Sequence, residues 1–152
     1  MELARALERG VAVLDPDIRS ADQALLALAR AAAPQLGLPT EILFEALCRR
    51  ERLCPTALPE GVALPHAILP GLRRTLVVPM LVPKGVEMES LQTPSTVIIG
   101  LFGAEGRPND HIALLARLAR AAGDPATLAA LRAAPTAADL VHVLLERDPV
   151  NT

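Results

Sequence analysis

His66 closes the run Gly61-Val62-Ala63-Leu64-Pro65-His66, a short apolar strand candidate followed by a proline. Proline presets its own φ and pushes Leu64 toward extended geometry, so the run holds an imidazole at a surface on a stiff support. A neutral imidazole offers a lone pair near pH 7. It can attack phosphorus, and the phosphoramidate so formed stays reactive. Taken alone, a histidine in a loop is more often structural than catalytic. Three other residues bear on the same chemistry. A phosphoryl group in transit spreads negative charge over its equatorial oxygens, and the planar fork of Arg50 can hold two of them. The competing reading is that Arg50, near the end of a helix, only complements the helix dipole. His111 falls in the first turn of another helix, where the dipole favours a neutral ring able to donate one hydrogen bond to a phosphoryl oxygen or to orient His66. The plain alternative is a solvated first-turn residue. Thr56 offers a hydroxyl from a loop, where threonine is common whatever the function.

Other chemistries find less support in the sequence. His142, between Val141 and Val143, reads as partly buried structure, Cys48 as helix core four positions after Phe44, and Cys54 as a loop residue before Pro55. No two His or Cys residues have zinc-ligand spacing, and Gly103 to Gly106 lacks the Gly-Lys-Ser/Thr end of a phosphate loop, so neither a metal nor a nucleotide cofactor is expected. A net charge of −2 gives no general attraction to nucleic acid, and Phe44 and Phe102, the only aromatic residues, make no stacking platform. No run of about 18 apolar residues is present to insert into a membrane. The start, Met1-Glu2-Leu3-Ala4-Arg5, has no basic-then-apolar signal pattern, so a cytoplasmic protein is expected.

The elements that must position these residues can be read coarsely. Ser20-Ala21-Asp22-Gln23 has the form of a capping box, and a helix follows over 21–33, ended by Pro34. A second helix opens at Pro39-Thr40 and runs to about Arg52. The segment from Leu53 to Gly61, rich in proline, reads as a loop and leads into a strand over 62–64. Two buried strands are expected over 75–82 and 96–102; Pro79 inside the first argues for an edge position or a bulge. Asn109 can cap a helix over 110–122 that presents Ile112, Leu115, Ala116 and Ala119 on one face, and Asp124-Pro125 and Thr136 to Asp139 start two more. Strands in the middle with helices on either side predict a single α/β domain over 1–152, one mixed β-sheet flanked by helices on both faces.

Arg50-Glu51, Thr56, the Gly61 to Ala67 run and Asp110-His111 occur in an order that resembles the mannitol/fructose type of enzyme IIA of the bacterial phosphoenolpyruvate-dependent phosphotransferase system, including its nitrogen-regulatory members. The resemblance extends from about Leu14 to Leu145, and its Ala-apolar-Pro-His core, with Glu51 upstream, is specific. It implies the same mixed sheet with flanking helices, phosphorylation of His66, and active-site roles for Arg50 and His111. It also implies an HPr-type phosphocarrier protein as donor and, in transport members, a cysteine of an enzyme IIB as acceptor. Pro59 departs from the Gly or Ala usual in that loop, which leaves the loop's path open.

The function expected is that of a phosphohistidine carrier, coupled to sugar transport or acting as a nitrogen-type regulator on a target protein. A chain this compact, with no fused transporter or IIB segment, is expected to be of a free-standing or nitrogen-regulatory type. The alternative is a docking module that keeps the fold and has lost the chemistry. A histidine phosphatase would need an Arg-His-Gly motif, which is absent. For donor and acceptor to dock in turn, the face around His66 is expected to be apolar and shallow, with Val62, Leu64, Ala67 and Ile68 contributing.

Overall fold

A computed structural model of the protein describes residues 3–15, 17–88 and 93–148; Met1 and Glu2, which open the N-terminal pattern, lie outside them. The strands are β1 (Val13–Leu14), β2 (Ala57–Leu58), β3 (Val62–Ala63), β4 (His66–Leu69), β5 (Leu76–Val86) and β6 (Ser95–Ala104). The helices are α1 (Leu3–Ala6), α2 (Ala21–Leu36), α3 (Thr40–Leu53), α4 (Pro108–Gly123), α5 (Pro125–Arg132) and α6 (Ala137–Glu146). The strands form one sheet in the order β1-β5-β6-β3-β2, with β4 beside β6 beyond the end of β3. β5 and β6 are antiparallel, whereas β1 on β5 and both β3 and β4 on β6 are parallel, so the sheet is mixed.

Side-chain alternation along the strands sorts the core into two layers. Val97, Ile99 and Leu101 of β6 pack with α1, α4, α5 and α6 on one face; Ile98 and Phe102 pack with α2 and α3 on the other. Both faces are covered, as the sequence pattern predicts.

Several boundaries differ from the sequence reading, each for a local reason. α2 does not stop at Pro34 but runs to Leu36, and Gly37, at φ +66°, ends it with an N–H bond to Ala33 O of 3.0 Å. Proline removes one intrahelical donor but leaves Ala33 and Leu36 packed on the core, which holds the last turn. Pro79 sits neither at an edge nor in a bulge: it is opposite Ile99, in a strand flanked on both sides, and the register shift lies between Leu81 and Val86. The Leu81 carbonyl bonds Asp15 N on the β1 side, and Pro79, two residues earlier, points its nitrogen the same way. The β5–β6 ladder therefore loses no donor, and β1, only two residues long, lies beside Met80 and Leu81.

Leu53 to Gly61 is not wholly loop, because β2 forms within it and pairs with β3. Pro59 occupies the second position of the turn Leu58-Pro59-Glu60-Gly61, closed by Gly61 N to Leu58 O at 3.1 Å, with Gly61 at φ +86°. Proline suits that position, so Pro59 fits the hairpin without diverting it. α4 starts at Pro108 rather than Asp110, with Arg107 at the cap and no side-chain bond there, so Asn109 is already helical. Its buried face carries His111, Leu114, Leu118, Ala121 and Ala122, one position out of phase with the expected stripe, while Ile112 is exposed. His142 is exposed rather than partly buried. Asp124 and Thr136 cap α5 and α6 through Thr127 N and Asp139 N, and Cys48 is in the core.

Asp148, beyond α6, is 1 % exposed and binds Arg117 of α4 through both carboxylate oxygens, one contact being Arg117 Nε to Oδ1 at 3.3 Å. Truncating one partner leaves the other charge buried and poorly solvated. Asp148→Ala is expected to lower unfolding free energy by about 3–5 kcal/mol, read as a fall in the urea midpoint at unchanged slope.

Candidate functional site

The strand beside β6 breaks at Leu64-Pro65, and β4 begins at His66 rather than ending there. Across the break, Leu101 N donates to Pro65 O at 3.0 Å, and His66 takes the register position beside Leu101. Ala67 and Leu69 enter the α2/α3 layer, so by alternation His66 and Ile68 point toward α4. His66 is 9 % exposed, and its Nδ1 lies 2.8 Å from Leu64 O. A carbonyl oxygen only accepts, so Nδ1 carries the proton and Nε2 holds the lone pair.

His111, in the first turn of α4, places its ring centroid 5.4 Å from that of His66 at an interplanar angle of 52°. It is 4 % exposed, and neither ring nitrogen has a hydrogen-bond partner among the described residues. Burial pushes the His111 pKa down to about 4, with the His66 ring and the Arg50 charge adding to the effect. His66 is lowered too: burial dominates, the Leu64 carbonyl opposes it, and Arg50 lowers it further while Glu51 raises it. Both rings are neutral at pH 7. Burial and a neighbouring cation each disfavour a second positive charge.

Arg50 comes from the last turn of α3. Its Nη1 donates to Cys54 O at 2.9 Å, so it closes the C-terminus of its own helix while its charge acts on both imidazoles. The guanidinium thus caps its helix and lies near enough to bear on both rings. Thr56 is engaged elsewhere: its hydroxyl donates to Glu51 Oε1 and its N–H reaches Glu51 Oε2 at 3.4 Å. The hydroxyl proton is committed to Glu51, and Thr56 is not among the residues lining the groove described next.

An open groove of about 370 Å³ runs over the two histidines, lined by Arg49 and Arg50, Leu53, Ile68, Ile112 and Leu115 among others. Leu53 is 80 %, Ile112 64 % and Ile68 46 % exposed. Of the four neighbours expected to make an apolar surface, Ile68 is exposed and Ala67, though largely buried, also lines the groove; Val62 and Leu64 are buried in the core. Leu53, Ile112 and Arg49 were not anticipated. Their signal was adjacency, since Ile112 follows His111 and Arg49 precedes Arg50, but only the crossing of α3, α4 and β4 shows that they share a rim. Gly103 was also missed as a neighbour of His111. No three His, Cys, Asp or Glu side chains among the described residues are grouped to hold a metal ion, and no helix is long and apolar enough to cross a membrane.

A site of this kind can take up an anion: one nucleophilic nitrogen, one buried ring with unused hydrogen-bonding capacity, and one guanidinium beside them. The chain is similar to known proteins in sequence and in fold. The chain is 35 % identical over 128 residues to a nitrogen regulatory protein of Bradyrhizobium diazoefficiens, covering 84 % of each. In fold it is similar to nitrogen regulatory protein IIA-Ntr from Neisseria meningitidis, with a TM-score of 0.82 at 23 % identity over 89 % of this chain and 93 % of that one. It is also similar to enzyme IIA mannitol in a complex with phosphorylated enzyme IIB mannitol from Escherichia coli, with a TM-score of 0.70 at 20 % identity over 90 % and 95 %. Residues 6–147 match the family described as phosphoenolpyruvate-dependent sugar phosphotransferase system, EIIA 2, and the chain belongs to that family.

Proposed function

We propose that this protein is a phosphohistidine carrier, one EIIA 2 domain that accepts a phosphoryl group on His66 Nε2 from an HPr-type phosphocarrier and passes it to a second protein. The observation that carries this reading is the Nδ1 bond to Leu64 O, which leaves Nε2 as the nucleophilic atom of the ring. The Nε2 lone pair attacks the donor's phosphorus; the new N–P bond forms as the donor's N–P bond breaks, and the donor nitrogen takes back its electron pair. The His66 ring then bears positive charge with its Nδ1 proton in place, and the Leu64 carbonyl stabilises that charge. In onward transfer the acceptor's nucleophile attacks phosphorus and the imidazole leaves neutral. Arg50 stabilises the equatorial oxygens, and His111 supplies a ring N–H to one of them. The Thr56 hydroxyl donates to Glu51, so its part is to hold that carboxylate in place.

The exposed apolar rim of Leu53, Ile68 and Ile112 supports transient docking of a protein partner over the groove. The nitrogen regulatory relatives support a nitrogen-type regulator over a transport component; in the transport alternative the acceptor is an enzyme IIB cysteine. Either role places the protein in the cytoplasm, where the donor phosphocarrier works.

Incubation with phosphoenolpyruvate, enzyme I and HPr should give one acid-labile phosphate, mapped by mass spectrometry to His66 and lost in His66→Ala. A wild-type chain that gains none would instead be a docking module. Arg50→Ala should slow transfer roughly a hundredfold to a thousandfold, as for loss of one preorganised donor. Its unfolding free energy should fall by only about 1 kcal/mol, the worth of the Cys54 bond; near-normal transfer would reduce Arg50 to a helix cap.

Neutral rings also predict a pH dependence. Above pH 6.5 His111 is unprotonated in both folded and unfolded chains. Below it the unfolded chain binds the proton first, because the folded pKa is about 4, so the contribution of His111 to stability falls with pH. Between pH 6.5 and 5 the wild type should lose on the order of 1.5 kcal/mol more unfolding free energy than His111→Gln, measured by urea titration at each pH.

A further inference from the structure

β6 carries two glycines within its paired stretch, and each faces a side chain lying where a Cβ would stand. At Gly100 that Cβ would come 3.1 Å from Leu28 Cδ1, at the end of a flexible side chain, where a few tenths of an ångström of movement relieves the contact. At Gly103 it would come 2.2 Å from His111 Nδ1 and 3.1 Å from Cγ and Cε1. That is a collision. The imidazole of His111 occupies the space that a side chain at position 103 would fill.

Strand register explains how the ring gets there. Gly103 has the parity of Val97, Ile99 and Leu101, which face α4, and its partner in β4 is Ile68, while His66 pairs with Leu101 on the same face. The chain turns through Glu105 to Arg107 and enters α4 at once, so the first turn of the helix lies back over the end of the strand it has just left. The ring is therefore confined between the β6 backbone and the His66 ring, 4 % exposed and with both nitrogens unpartnered among the described residues. An unmade hydrogen bond in such a place is costly. A phosphoryl oxygen on His66 would supply the acceptor.

We propose that Gly103 is a positioning residue for phosphoryl transfer: having no side chain, it forms the seat that holds the His111 ring beside His66, with a ring N–H available to a phosphoryl oxygen there. The proposal rests on the phosphoryl-transfer reading for its consequence, but the seat itself can be tested without phosphate.

The decisive experiment is Gly103→Ala in two backgrounds, wild type and His111→Ala, followed by NMR of the imidazoles, denaturant unfolding and transfer from phosphorylated HPr. In the wild-type background the new methyl should displace the ring. The His111 titration, about 4 in the native protein, should move up toward 6.5, and transfer should slow by on the order of tenfold to a hundredfold, as for a misplaced catalytic group. With His111→Ala the methyl meets no ring, so adding Gly103→Ala should change neither stability nor transfer further. An unchanged His111 titration in Gly103→Ala, or equal losses in both backgrounds, would overturn the proposal. Should Gly103→Ala not fold, the double variant must fold for the seat to stand, and its failure would overturn it as well. A wild-type protein that takes no phosphate refutes the carrier reading, and the titration and the stability cycle then still decide the seat.

Discussion

Strand β6 is paired along both edges: β5 lies on one side, from Leu76 opposite Phe102 to Val86 opposite Ser95, and β3 and β4 lie end to end on the other. A strand buried on both faces must have its amides and carbonyls paired, since unpaired ones cost free energy comparable to lost hydrogen bonds. The other elements accommodate that demand. Where the chain beside β6 reaches Leu64 and Pro65 the ladder is interrupted, because proline has no N–H to give. Pro65 still accepts from Leu101, and Leu64 N finds Thr56 O at 3.4 Å. The Leu64 carbonyl is taken up by the ring of His66. The break in pairing and the orientation of the imidazole are one event, and it also selects which ring nitrogen keeps its lone pair.

Electrostatics then follows from burial. Two imidazoles share a buried corner beside a guanidinium; burial and the Arg50 charge lower the tendency of both to take a proton, and His66 lowers that of His111 further. Among the described residues the His111 ring nitrogens have no hydrogen-bond partner, and the Arg50 guanidinium donates to Cys54 O of its own helix end. A phosphoryl dianion would offer both groups an acceptor, and the interactions would be strongest where its charge is most spread. Around this polar centre the exposed Leu53, Ile68 and Ile112 leave apolar surface in water, a cost that a partner protein's contact would offset. The same groove thus joins a polar centre to an exposed apolar rim, the combination on which the proposed transfer between proteins rests.

The layers around β6 keep these parts in place. α2 and α3 hold one face and present Arg50; α4, α5 and α6 hold the other and present His111. The buried Arg117–Asp148 pair ties the chain beyond α6 to α4. Because α3 and α4 lie on opposite faces of the sheet, Arg50 and His111 meet only at the end of β4, where both helix termini overhang the strand bearing His66.

Much of this was legible in the residues themselves. Ser20, Asp124 and Thr136 marked helix starts because capping is a local hydrogen bond. The apolar runs over 75–82 and 96–102 marked central strands, and the motif around His66 pointed to the phosphotransferase-system EIIA family to which the chain belongs. Local rules misled where packing outweighed them: α2 continued past Pro34, Pro79 was accommodated in an inner strand, and the buried stripe of α4 shifted by one position. The tertiary structure alone decided that Val62, Leu64 and Ala67 are core, that Leu53 and Ile112 are rim, and that Thr56 is held by Glu51. It also decided that Gly103 gives its space to His111. The sequence by itself determined which groups are capable of the chemistry, because nucleophilicity and charge belong to residue types. Their distances, burial and protonation were decided by tertiary structure, because those depend on how β6 brings α3, β4 and α4 to one end of the sheet.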